Sequence, residues 1–254
     1  MRIVFIGSGN VATHLSVALK KSGNEIIQVY SKTLKNTKLL ASQIDAEPID
    51  NIKSIKSNAD LYIFSVKDDI LPEIVDLMPD TDGIWAHTSG SVPMNLFSHK
   101  KSADYGVIYP LQTFSKSRRV EFHDIPIFIE GDNNHSQNIL DDVAKSISGD
   151  VRLLDSDKRR YLHLAAVFAN NFSNHMFTLA SEILNSEGIS FDVLKPLIKE
   201  TAAKVMDMEP NKAQTGPAIR YDEKIIMKHL DLIKDTDTKE IYELISKSIN
   251  KHSK

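Results

Sequence analysis

Through the first 154 residues, short apolar runs alternate with longer stretches whose apolar positions recur every three or four residues. The runs at 3–6, 26–30, 61–66, 84–86, 106–109, 125–129 and 151–154 are rich in Ile, Val, Phe and Tyr, which predicts strands. The stretches at 11–22, 34–44, 68–78 and 134–147 have helical spacing. Strand and helix in alternation imply βαβ units, and so a doubly wound α/β fold with a mostly parallel sheet. After about Asp155 the strands stop. Residues 157–187 read as one long helix, with apolar side chains at Leu162, Ala166, Ala169, Phe172, Met176, Leu179 and Ile183. Leu164, Val167 and Phe168 widen that stripe to most of its circumference, so the helix is expected to be central and buried. Further helices are expected at 191–207, 222–234 and 238–251. The expected organisation is an α/β domain over 1–154 and an all-α domain over 155–254.

Composition narrows the function classes. The 254 residues are 41% hydrophobic and 26% charged, with a formal charge of −3, so nothing in the charge balance calls for nucleic acid. There is no cysteine, which rules out disulfides, thiolate nucleophiles and Cys-ligated metals. His, Asp and Glu form no cluster with metal-ligand spacing. The first apolar run is too short for a signal-peptide core, and no apolar stretch is long enough for a bilayer. The chain reads as cytoplasmic, with a small-molecule substrate and neither membrane nor nucleic acid as partner.

The first strand runs into Gly7-Ser8-Gly9-Asn10-Val11-Ala12, and a helical pattern begins within that loop. A glycine loop between a strand and a helix is the fingerprint of dinucleotide binding. Gly7 allows the tight turn, Gly9 lets the backbone approach a pyrophosphate, and Ala12 keeps helix and strand close. The helix start then offers unpaired N–H groups to the phosphates. A sharp turn with no ligand is the alternative, and the strand–helix alternation beyond the loop favours the nucleotide.

The end of the second strand bears on which nucleotide. NAD and FAD sites usually place an acid there to bond the ribose 2′-hydroxyl. Here no Asp or Glu occurs between Glu25 and Asp45, and Ser31, Lys32 and Thr33 stand in its place, with Lys35 and Lys38 behind them. Hydroxyls and ammonium groups suit a 2′-phosphate, so the expected cofactor is NADP. The third long strand ends in Ser65, Val66 and Lys67, on the side of the crevice where the nicotinamide would lie. Thr88, Ser89, Gly90 and Ser91 form a small polar turn that a flat ring could approach closely, although a plain loop is an equal reading.

Several stretches together resemble a known family: FIGSGNVATHL, VYSKT, FSVKDD, HTSGSVP, YPLQTFSK, HLAAVFANNFSNHM and TGPAIRYD. They look like the NADP oxidoreductases described as deazaflavin-dependent, which pair a Rossmann-like N-terminal domain with a helical C-terminal domain of unknown function. The layout is similar to pyrroline-5-carboxylate reductase, prephenate dehydrogenase and the 6-phosphogluconate dehydrogenase-like β-hydroxyacid dehydrogenases. The resemblance implies a helical domain that pairs subunits into a homodimer and closes over the cofactor. The catalytic groups of those relatives are not repeated. Val167 stands where β-hydroxyacid dehydrogenases carry a lysine before Asn170-Asn171, and Tyr109 precedes Pro110-Leu111 where prephenate dehydrogenases carry a histidine. Thr215-Gly216-Pro217-Ala218 replaces the threonine motif of pyrroline-5-carboxylate reductases.

Polar residues on the long helix supply the remaining candidates. At 100° per residue, His163, Asn170 and Asn174 fall within about 40° of one another, and His175 pairs with Asn171 on the neighbouring face. Such residues either bond one another inside a core or face the crevice. The second reading makes His163 the proton donor to substrate, with Asn170 and Gln112 holding it. His87, Tyr109 and Lys67 are weaker candidates. Arg220 reads as an exposed charge or a fork for an anionic substrate, and Asp222 as a helix N-cap. Two functions are therefore in play: an NADPH-dependent reductase of a small C=O or C=N substrate, or an NADP-binding sensor without chemistry.

Overall fold

A computed structural model describes residues 1–100 and 104–253. The chain divides into two compact units, 1–170 and 171–254. The first is built on eight strands: β1 (Arg2–Ile6), β2 (Glu25–Tyr30), β3 (Glu47–Ile49), β4 (Leu61–Phe64), β5 (Ile84–His87), β6 (Tyr105–Pro110), β7 (Ile127–Gly131) and β8 (Val151–Leu153). Their order across the sheet is β3-β2-β1-β4-β5-β6-β7-β8. All neighbours are parallel except β6 and β7. The order reverses between β1 and β4, and in such sheets ligands bind beyond the strand carboxyl ends at that crevice.

Four helices cover the two faces: α1 (Asn10–Lys21), α2 (Leu34–Ile44), α3 (Leu71–Leu77) and α4 (Asn134–Lys145). Along β1 the period-two pattern divides the core. Ile3 and Phe5 pack with Leu15, Leu19, Leu40 and Leu140 on one side. Val4 and Ile6 pack with Tyr62, Phe64, Leu71 and Trp85 on the other. The expected strands are present, and one further strand, β3, pairs with β2 at the sheet edge. Its three residues include Pro48, which lacks an N–H and is tolerated at an edge.

The long helical segment departs from expectation twice. It is α5 (Ser156–Ala166), a π-helical stretch (Val167–Phe172) and α6 (Ser173–Ser186). The wider π turn slows the angular advance, so the single stripe expected for His163, Asn170 and Asn174 does not hold along it. Nor are its apolar side chains buried. Leu164 is 53% exposed, and Phe177 and Ile183 are exposed as well. The division between units falls inside this segment, and α5 packs with the α/β unit.

The second unit continues with α7 (Lys195–Asp207), α8 (Pro210–Ala213), α9 (Pro217–Arg220), α10 (Glu223–Leu232) and α11 (Thr236–His252). Asp222 caps α10, accepting from the Ile225 N–H, and Asn250 on α11 donates to the Ile219 carbonyl. Arg220 is exposed at the end of α9. Among the described residues no helix is long and apolar enough to cross a membrane.

Candidate functional site

The β1–α1 turn sits at the crevice. Gly7 has φ 121°, and its N–H donates to the Tyr30 carbonyl at 2.8 Å. A Cβ on Gly7 would lie 2.1 Å from the Ser65 carbonyl oxygen and 3.2 Å from Val66. Glycine is required there by both conformation and space. Ser8 is buried in the turn and Val11 packs against the core. Gly9 is an ordinary extended residue, and nothing lies within 4 Å of where its Cβ would be. The open space above Gly9 leaves room for a ligand to approach the backbone. The first turn of α1 has neither an acid nor a side-chain cap, so it presents positive partial charge outward. Asn10 has a second duty, since its side-chain amide donates to the Phe114 carbonyl and ties α1 to the loop after β6.

At the end of β2, Ser31 and Thr33 shape the entry to α2. The Ser31 hydroxyl accepts from the Thr33 N–H, and Thr33 is the N-cap residue without a capping side-chain bond. Lys32 is exposed, and its ammonium lies 3.0 Å from a carboxylate oxygen of Glu73 on α3. That contact holds the Lys32 pKa above its ordinary value. Lys67 is exposed beyond β4. These features together fit a dinucleotide: a strained glycine turn, space above Gly9, an uncapped helix start and cationic and hydroxyl groups at the end of β2.

A chain of contacts runs from the glycine turn to the first helix of the long segment. Beside Gly7, the Ser65 hydroxyl bonds that of Thr88, 3.2 Å away, just past β5. The Ser89 hydroxyl accepts from the N–H groups of Ser91 and Val92, so it shapes the polar turn. Gly90 then meets His163: a Cβ there would stand 2.6 Å from the ring's Cγ and Nδ1. His163 Nδ1 is 2.9 Å from the hydroxyl of buried Tyr109, whose ring stands edge-on to the imidazole. Burial pushes the Tyr109 phenol up, partly offset by the Arg159 charge, so it stays protonated near neutral pH. With Nδ1 engaged, Nε2 is the nitrogen of His163 left for proton exchange. Asn170 and Gln112 are exposed, and the Gln112 amide oxygen accepts from the adjacent Thr113 N–H.

Arg159 and His163 are four residues apart on α5 and so share a face. Arg159 is fully buried, paired with Glu130 on β7, and it donates to the Val92 carbonyl and the Ser156 hydroxyl. Glu130 also accepts from the Ser156 N–H and hydroxyl. This network, which sequence reading missed, clamps α5 to the sheet and to the turn that carries Gly90. A charged residue ending the apolar run Ile127–Ile129, together with an arginine one turn before His163, was the available signal.

His87 is poorly placed to donate a proton. It is fully buried, and its Nδ1 accepts from the Ser89 N–H, so the neutral ring carries its proton on Nε2. Burial, reinforced by the Arg159 charge, pulls its pKa from 6.5 to about 3. The nearby Pro93 carbonyl offsets this slightly, although Nε2 makes no hydrogen bond of ordinary geometry. A depressed pKa means that the unfolded chain binds the proton first, at about 6.5. The stability His87 contributes is therefore complete above that pH and is lost as pH falls toward 3. Denaturant midpoints should drop across this window. A His87→Gln chain should start lower at pH 7 and slope less, and equal slopes would show that His87 is not the group responsible.

Residues 2–86 match the family described as "NADP oxidoreductase coenzyme F420-dependent", and residues 125–249 match "Domain of unknown function (DUF2520)". No curated protein matches the chain. Among solved structures, a "putative NADP oxidoreductase" from Bacteroides fragilis is 45% identical, with a TM-score of 0.92 and 98% of both chains covered. An imine reductase from Myxococcus stipitatus, in complex with NADP+, has the same fold at 15% identity and TM-score 0.66, covering 99% of this chain and 92% of its own. A 1-pyrroline-5-carboxylate reductase from Streptococcus pyogenes also shares the fold, at 15% identity and TM-score 0.63, over 100% of this chain and 98% of its own. Identity at the level of the Bacteroides protein, over nearly the whole of both chains, settles what the glycine turn and the cationic end of β2 pointed to: this chain belongs to the NADP oxidoreductase family, and its cofactor is NADP.

Proposed function

We propose that the chain reduces a small C=O or C=N substrate, with His163 delivering the proton. The observation that carries this reading is the Tyr109–His163 hydrogen bond, which lies at the carboxyl end of β6 and against Gly90 in the turn after β5. NADPH supplies the hydride when bound; the chain supplies orientation and a proton. Protonated His163 donates through Nε2, while its Nδ1–H is held by the Tyr109 oxygen. The Arg159–Glu130 clamp fixes the helix that carries the ring. Asn170 and Gln112, both exposed, are assigned to holding the substrate. The direct test is to mix NADPH-loaded protein with keto acids, cyclic imines and a deazaflavin and to follow the loss of reduced-nicotinamide absorbance. Turnover of a ketone or imine supports the reading, and binding without turnover of any of them would favour the sensor.

Lys32 is assigned to the 2′-phosphate, with Ser31 and Thr33 beside it. Gly7, Ser8, Gly9, Asn10 and Val11 are assigned to the pyrophosphate, and Val66, Lys67 and Ser89 to the nicotinamide side. NADPH should bind at least about tenfold more tightly than NADH, roughly 1.4 kcal/mol. Lys32→Glu should abolish that preference, as read by titration with both nucleotides. Equal affinities in the unaltered chain would overturn the assignment.

The working form is proposed to be a homodimer in the cytoplasm. Its support is the apolar side chains that the second unit leaves open: Phe177, Ile183, Leu197 and Leu244 are all exposed, with Leu197 at 62% and Leu244 at 70%. Two-fold pairing is the commonest way to cover exposed apolar side chains. Sedimentation at micromolar concentration should give twice the chain mass, and a monomer there would count against it.

A further inference from the structure

The sequence places no acid between Glu25 and Asp45, yet the fold brings one to the end of β2 from another element. Glu73 lies in the first turn of α3, where the helix dipole favours a carboxylate. Leu71, Ile74 and Val75 seat α3 in the same apolar cluster as Ile6 and Tyr30, so the helix is anchored over the end of β2. From there Glu73 reaches the Lys32 ammonium at 3.0 Å, with both side chains 57% exposed. The charge on Glu73 also bears on the Tyr30 phenol.

Resting on the assignment of Lys32 to the 2′-phosphate, we propose that Glu73 sets the margin by which this chain prefers NADPH over NADH. A 2′-phosphate arriving at Lys32 has to break the ion pair, and it then meets the Glu73 carboxylate as a like charge. NADH brings no such anion, and its ribose 2′-hydroxyl can donate to a carboxylate. Glu73 therefore opposes the phosphorylated cofactor and tolerates the other. It is the acid missing from the end of β2, supplied in space rather than in sequence. An exposed ion pair is weak, so the brake is partial and leaves NADP as the cofactor.

The test is equilibrium titration of the full chain with NADPH, NADH and adenosine 2′,5′-bisphosphate, in the unaltered protein and in Glu73→Gln, Glu73→Asp and Lys32→Ala. Glu73→Gln should bind NADPH and the bisphosphate about twofold to fivefold more tightly, with NADH unchanged or weaker. The gain should shrink as salt is raised, because the charges are exposed. Glu73→Asp, which keeps the charge, should stay near the unaltered protein. If Glu73→Gln leaves NADPH binding unchanged or weaker, or tightens NADH equally, the proposal is wrong. Lys32→Ala separates the two levels. If it weakens NADPH selectively while Glu73→Gln is silent, the phosphate assignment survives and the role of Glu73 does not. If it changes neither nucleotide, both fall.

Discussion

Replacing His163 with alanine is expected to lower turnover by about a hundredfold or more, the range that a positioned general acid supplies. NADPH affinity should be unchanged, because the ring meets Gly90 and Tyr109 and not the glycine turn itself. Tyr109→Phe provides the graded comparison. It keeps the ring that faces His163 and removes only the oxygen at Nδ1, so turnover should fall less than with the histidine gone. The pair of variants distinguishes chemistry from packing. If His163 served only to fill the space over Gly90, its loss would appear in thermal stability and leave turnover per folded molecule intact. Unaltered turnover in the alanine variant would remove His163 from the mechanism.

The largest stability loss is expected at Glu130. Its partner Arg159 is fully buried, and a buried charge deprived of its counter-ion typically costs about 3–5 kcal/mol. Glu130→Ala should therefore shift the urea midpoint far below that of the unaltered chain, and the Ser156 N–H and hydroxyl would lose their acceptor as well. Glu130→Gln should recover part of the loss, because it keeps a hydrogen-bond acceptor while removing the charge. Replacing both partners with apolar residues of similar volume should cost less than either single change. A double variant as unstable as the sum of the singles would show that the two side chains act independently. Any destabilisation should also reach turnover, since the clamp carries the helix on which His163 sits.

Most of the α/β unit was legible in the chain because its strands are continuous apolar runs bounded by turns, the pattern that a sheet covered on both faces imposes. The short β3 was not, since three residues with a proline carry no alternation to detect. The glycine turn was readable for a local reason: strand, turn and helix are adjacent in sequence. His163 could be singled out as a polar residue on an apolar helix, but its partner Tyr109 lies 54 positions away. Periodicity says nothing about which strand end a helix will meet. The same holds for Glu73 and Lys32, 41 positions apart, and for Glu130 and Arg159. The π turn was invisible for a different reason. An extra residue in one turn leaves composition untouched and changes only the phase of the helix beyond it.

The close approach of Gly90 and His163 has an evolutionary reading. Gly90 does not have positive φ, so its backbone would accept alanine; the side chain of His163 forbids it, with ring atoms 2.6 Å and its own Cβ 2.9 Å from the would-be Cβ. A methyl group at 90 and a ring at 163 therefore compete for one volume, and neither position can drift alone. In an alignment of relatives the two columns should vary as a linked pair: glycine at 90 wherever a histidine stands at 163, and larger residues at 90 only where 163 is itself glycine or the helix stands farther from the turn. Lineages that lost the histidine would carry the record of it at position 90.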